Sequence, residues 1–312
     1  MNTDLSPEAL EFGRTARRAL EAAGGDELAH AGTAARDGGE AAAKVLADLG
    51  AWDLDPRGSA EELEAAAALC RSAGWWAVPH PVAERLARPR DVPAEALVVV
   101  AGDGSAGAIA EAVTRLALRW IAVDLGGRRS RATPQPGAVP VGKHGVAVPL
   151  DLAPLDDGGA GDVALGLVLP CWTLLGLLDR AIDLTSDYVR VRHQFGQPLS
   201  SFQSVQFQLT DAEVERLGVE ELAKHALWSV STGRPDAVAD ALALRVAAVE
   251  AAEVVFRITH QLHGAIGFCD ETALSWLSRA SQPLRRLPLG PSATRAALTD
   301  NLGHRGLAGL FS

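Results

Sequence analysis

The stretch Arg190-Val191-Arg192-His193-Gln194-Phe195-Gly196-Gln197-Pro198-Leu199-Ser200-Ser201-Phe202-Gln203 separates two long helical patterns. Before it, Leu174, Leu178, Ala181, Ile182, Thr185 and Val189 form one apolar stripe at helical spacing. After it, Leu209, Ala212, Leu217, Leu222, Ala226 and Leu227 mark a second long helix. Gly233 to Pro235 breaks that helix. Ala237 to Leu262 then reads as a third, apolar around much of its circumference and so central. A fourth covers about Thr272–Arg279, and a fifth Ala293–Leu302. Long antiparallel helices with short connections predict a bundle. A turn that only joined two of them would need a few polar residues. This one holds two arginines, one histidine, three glutamines and two phenylalanines. Arginine offers a planar fork for phosphate, glutamine can bond sugar or base edges, and phenylalanine can pack a ring. Physics alone also allows an ordinary interhelical corner.

Toward the N-terminus, Ser6-Pro7-Glu8 is a helix start, and Leu10, Phe12, Ala16 and Leu20 follow at near-helical spacing up to Gly24-Gly25. Further helices are expected at Glu40–Leu49, Ser59–Ala73 and Val82–Ala87, with Trp52, Trp75 and Trp76 as core aromatics at the joints. From about Arg88 to Ala160 the composition turns to glycine, proline and short apolar runs. Ala96–Val100, Trp120–Val123 and Val146–Leu150 read as strands, the last weakened by Pro149. A helix is expected near Gly107–Leu116, and an exposed loop over Gly126–Gly145. The fold class is therefore mainly α: an N-terminal helical domain (1–90), a reduced β-rich middle module (91–160) and a C-terminal four-helix bundle (161–312).

A second segment, Gln261-Leu262-His263-Gly264-Ala265-Ile266-Gly267-Phe268-Cys269-Asp270-Glu271, ends the central helix with minimal side chains. Such residues let a ligand or another backbone come close, although a glycine C-cap would look the same. Taken together, the two segments resemble the acyl-CoA dehydrogenase family of flavoproteins. That family carries R-x-x-F-G-x-P-x-x-x-F-Q, matched from Arg192 to Gln203, and later Q-x-x-G-G-x-G-[FY], matched from Gln261 to Phe268 with Ala265 at the second glycine. The resemblance is strong over roughly 160–282. It implies FAD, with Arg192, Phe195, Gln203, Gln261 and Gly264 holding the ADP half of a cofactor bound mainly to a neighbouring subunit. It also implies α,β-desaturation of an acyl-CoA thioester. A carboxylate takes the α-proton while the β-hydrogen leaves as hydride to the flavin.

The chain departs from the family at the base. The family's E-G-T glutamate falls on Leu289, ahead of Gly290. The earlier position used by some members falls near Leu165-Gly166-Leu167. Asp270 and Glu271 flank the second motif, and helix N-terminal acids there explain them as well. The catalytic residue is thus unknown. The family's T-E-x-x-x-G-S-D loop is missing between Arg88 and Ala160, and Trp120-Ile121-Ala122 is a possible remnant of its tryptophan strand. Short subunits lacking a base and a full β module resemble one branch of the family, which forms α2β2 heterotetramers in bacterial steroid degradation. The resemblance therefore implies a bulky CoA thioester and either a homologous partner subunit or a homo-oligomer. A non-catalytic subunit that completes a partner's flavin site is the alternative, and a degenerate bundle that binds neither FAD nor CoA is a third.

Length and composition agree with these expectations. At about 150 residues per domain, 312 residues predict about two domains and a large core. A net charge of -10, with 29 basic and 39 acidic residues, argues against a nucleic-acid surface. Cys70, Cys171 and Cys269 lie far apart with no CxxC, so no metal site is expected and a reduced, cytoplasmic chain is. No signal peptide is visible at the N-terminus. The apolar stretch Val163–Leu178 contains Pro170 and reads as core, not as a membrane span.

Overall fold

Ser6 opens the first helix: its hydroxyl accepts the Ala9 amide, and Pro7 fills the first helical position. The computed structural model describes residues 3–33, 38–102, 107–114, 116–135 and 146–303. Helix α1 (Pro7–Ala22) buries Ala9, Gly13, Ala16 and Leu20. The chain restarts at once after Gly24-Gly25 as α2 (Asp26–Thr33), which the glycine pair had hidden. Helices α3 (Gly38–Asp48), α4 (Ala60–Trp75) and α5 (Val82–Leu86) follow, α4 capped by Ser59 accepting the Glu62 amide.

Among the described residues five strands form the middle module: β1 (Ala96–Val100), β2 (Ala108–Ala110), β3 (Trp120–Asp124), β4 (Arg129–Pro134) and β5 (Ala147–Asp156). Their order is β1-β3-β4-β5-β2, with β1 and β3 parallel and the other pairs antiparallel. Two expectations are corrected here. The helix near Gly107–Leu116 is instead β2 followed by a short 3-10 turn, because Ile109 pairs with Val148 and tertiary pairing overrides an alanine-rich helical propensity. The loop over Gly126–Gly145 contains β4, a polar strand whose backbone is paired on both edges; 136–145 lie outside the described residues. Strand β5 also outlasts its expected end and carries Pro149, whose carbonyl accepts from the Gln135 amide. Alternation splits β1 and β3 cleanly. Leu97, Val99, Ile121 and Val123 join the main helical core, while Ala96, Val100, Trp120 and Ala122 form a second core with Ile109 and Val113.

The C-terminal part is helical: α6 (Ala160–Val191), a two-stranded hairpin β6 (His193–Gln194) and β7 (Gln197–Pro198), α7 (Gln203–Ser231), α8 (Ala237–His263), α9 (Ala273–Arg286) and α10 (Pro291–Gly303). Helix α9 runs past its expected end and tolerates Pro283. By length and composition α6 could cross a membrane, but most of its apolar window is buried inside the protein. Glycines bring it unusually close to α4. A Cβ on Gly176 would lie 1.9 Å from the Arg71 carbonyl oxygen, and one on Gly74 would lie 2.0 Å from that of Thr173. Beside this seam Arg71 bonds Asp179 of α6 at 2.6 Å and Glu220 of α7 at 2.9 Å, and Arg216 bonds Glu220 at 2.6 Å. The main core therefore runs without a break from α1 and α4 through α6 to α8.

Candidate functional site

Chain direction alone gathers both motifs at one end of the bundle. Helix α6 ends at the hairpin, α7 begins there, and α8, parallel to α6, ends beside them. Tyr188 of α6 stacks on His263 of α8 with ring centroids 4.4 Å apart, and its hydroxyl donates to the His263 carbonyl. Burial pushes the His263 imidazole down, which favours its neutral form under this stack.

The first motif forms a hairpin whose two turn residues, Phe195 and Gly196, both have positive φ, 52° and 82°. A turn of this handedness suits Asn-Gly, and a phenylalanine there is strained. The conformation leaves the Phe195 ring 92% exposed, edge-on to Phe202 at 6.2 Å. Strain that lifts a ring into solvent is common where a ligand or partner is met. Arg192 and Gln203 are exposed, and neither side chain has a hydrogen bond or ion pair among the described residues. In the second motif, Gly264 ends α8 at φ +66°, and a Cβ there would meet nothing within 4 Å. Gln261 and Ala265 are exposed. Phe268 stacks on His260 at 4.3 Å and leaves its outer face bare. The free guanidinium, free amides, exposed ring and bare glycine fit a flat nucleotide with a diphosphate.

The large exposed hydrophobics share this region. Val191, Phe195, Ile266 and Phe268 lie at the motifs, and Phe207, Val214, Leu217 and Leu222 run along α7; Leu10 is the exception. Leu217 and Leu222 belong to the expected stripe of the second helix, but they face out. Periodicity marked an apolar face without telling which side the core occupies.

Neither position for a base holds a carboxylate. Leu289 lies between α9 and α10, where Arg245, only 2% exposed, donates to the carbonyls of Leu284 and Leu289. Leu165 lines a charged cleft of about 550 Å³ at the other end of α6, with Arg57, Arg90, Asp91, Arg129 and Asp162. Asp162, one turn earlier, already accepts from Arg57 at 2.6 Å and from Arg129 at 2.8 Å. Asp270 accepts from Arg279 at 2.6 Å. Trp120, the expected flavin-side tryptophan, is buried in the second core on the sheet face away from the bundle. Among the described residues no cluster of His, Cys, Asp or Glu is placed to hold a metal ion.

A helical N-terminal region, a small sheet and a C-terminal helical bundle with two such motifs define the acyl-CoA dehydrogenase fold. Residues 168–297 match the family described as acyl-CoA dehydrogenase, C-terminal domain. Acyl-CoA dehydrogenase FadE28 of Mycobacterium tuberculosis is 34% identical over 117 residues, 38% of this chain and 34% of that protein. The chain thus matches about a third of the length of that curated relative. Among solved structures, the ChsE4-ChsE5 complex from Mycobacterium tuberculosis superposes with a TM-score of 0.76 at 17% identity, covering 98% of this chain and 100% of that one. The Tcur3481-Tcur3483 steroid ACAD superposes with a TM-score of 0.75 at 21% identity, covering 95% and 98%. At these identities the structural likeness concerns the fold.

Proposed function

We propose that this chain is a subunit of an FAD-dependent acyl-CoA dehydrogenase that desaturates a bulky, steroid-derived acyl-CoA thioester together with a homologous partner. The observation that carries this is the coincidence of the nucleotide motifs with Val191, Phe195, Ile266 and Phe268, four of the large exposed hydrophobic side chains among the described residues. Arg192 would hold the diphosphate, Gln203 and Gln261 the sugar or base edges, Phe195 a ring, and Gly264 would let the nucleotide reach the backbone. When bound, the flavin supplies the electron sink. The two fold neighbours named above, one a ChsE4-ChsE5 complex and one a steroid ACAD, support the partner and the substrate class. Three free cysteines, two of them buried, suit a reducing cytoplasm.

A second reading keeps the assembly but makes this chain non-catalytic. It is favoured by Leu289 and Leu165 at the two base positions and by the prior commitments of Asp162 and Asp270. Co-expression with the homologous partner tests both. The complex should be yellow and bleach with acyl-CoA, and Arg192→Ala should reduce its flavin content about tenfold or more, since a fork-to-phosphate contact is lost. A colourless complex refutes the flavin assignment. Asp270→Asn with Glu271→Gln should leave the rate unchanged if the base lies on the partner; a loss of several orders of magnitude would place it here.

A further inference from the structure

Helix α6 is buried from Asp162 to Leu178 except at Gly166, Pro170 and Thr173, which keep accessible surface. At about 100° per residue these three fall within about 60° of one another, on one face. The Gly166 end of this face meets β1, where a Cβ would lie 2.8 Å from Val99 Cγ2 and 3.1 Å from Leu97 Cδ2. The Thr173 end meets α4, at Gly74 and beside the Cys70 thiol. The short helix α5 packs against α4, α6 and β1, over the stretch between those ends. Accessible surface on one face of a helix that its neighbours enclose marks a gap against that face. Its walls are apolar, with Leu97, Val99 and Cys70 all buried.

One carboxyl group breaks this apolar setting. Burial and then the charge of Glu84 push the Cys70 thiol up, which puts Glu84 of α5 beside it. Val82, Ala83 and Leu86 of the same helix are buried. Glu84 itself lies deep in the molecule, yet part of its surface is accessible. Depth combined with accessible surface is what lining an interior gap produces. Among the described residues its carboxyl bonds its own backbone and has no hydrogen bond or ion pair to another residue. Burial pushes it up to about 7. The Thr173 hydroxyl is already turned to the Leu169 carbonyl, 3.4 Å away. A buried carboxyl without a partner is costly, and a ligand that supplies the missing bond offsets that cost.

We propose that this gap receives an apolar ring system bearing a hydroxyl, and that Glu84 binds the hydroxyl. A hydroxyl donates to a carboxylate and accepts from a carboxylic acid, so it suits both forms of the group. A ketone would suit the acid alone, and an ammonium the carboxylate alone. A hydroxyl also does for the carboxyl what water does, whereas an apolar ligand displaces water and leaves the carboxyl unpaired. That is the condition under which a site rejects an analogue lacking the oxygen. The inference rests on the preceding reading for the ligand being the acyl group of a CoA thioester, and adds the oxygen which that group carries. Glu84 is thereby a specificity residue and takes no part in removing the α-proton.

The test uses the purified full chain with two steroid acids as probes, lithocholate and cholanate, which differ by one ring hydroxyl. Isothermal titration calorimetry should show lithocholate binding at least about tenfold tighter. Glu84→Leu should erase that difference. Glu84→Gln, whose amide still bonds a hydroxyl, should keep most of it. Equal binding of the two probes by the wild-type chain overturns the proposal, and this comparison needs no variant to fold. Binding of neither probe overturns it as well, as does a preference that survives Glu84→Leu. Flavin content of the complex with the partner is measured separately. A yellow complex whose chain shows no hydroxyl preference sinks this inference alone; a colourless one with the preference intact sinks the flavin reading alone.

Discussion

Phe195 is held at φ +52° although its bulk disfavours that region, and its ring faces water. Phe195→Asn would replace the strained residue with one that tolerates positive φ and suits the turn before Gly196. It should stabilise the chain by about 1 kcal/mol, read as a higher thermal midpoint. It should also lower flavin retention in the complex. Unchanged retention would remove Phe195 from the lobe. The two motifs that hold Arg192, Phe195, Gln203, Gln261 and Gly264 were legible as segments, and the structure brings them to one end of the bundle. Asp162 was not legible as a committed carboxylate, because its partners Arg57 and Arg129 come from 105 and 33 residues away.

Between elements, the α4–α6 contact and the exposed face of α7 show two opposite uses of glycine. Gly176 sits where a side chain would strike the backbone of α4, whereas Gly218 faces open space. Gly176→Ala should push the helices apart and destabilise by about 1–3 kcal/mol. Gly218→Ala should stabilise the free chain by up to about 1 kcal/mol through helix propensity alone. Urea midpoints of the two variants check this, and equal shifts would contradict the seam. Helices α4, α6, α7 and α8 were readable because their apolar residues repeat at helical spacing. Strand β4 was not: Arg129-Ser130-Arg131-Ala132-Thr133-Pro134 has no strand pattern, and only pairing with β3 and β5 makes it one.

Across the whole molecule, Arg71, Asp179, Arg216 and Glu220 tie the N-terminal helices to the bundle. Burial pushes the Glu220 carboxyl up, but hydrogen bonds and charge from Arg71 and Arg216 outweigh it and hold the group at about 2. A carboxyl lowered on folding adds stability above its unfolded value, and loses it as pH falls toward the folded one. Stability should therefore drop between about pH 5 and pH 2, and Glu220→Gln should flatten that drop. The same variant should destabilise the chain at neutral pH by roughly 1–3 kcal/mol, since the buried Arg216 and half-buried Arg71 guanidiniums lose an acceptor. Denaturant titrations across pH test both, and an unaltered acid limb would assign the stability to other groups. By itself the sequence determined the helical bundle, the order of helical, β and helical parts, and the cluster of nucleotide-type residues. Each follows from local spacing and side-chain chemistry. Only the tertiary structure decided which face of α7 stays in water, where β4 pairs, and which carboxylates are already spent on arginines, because these depend on contacts between residues far apart in the chain.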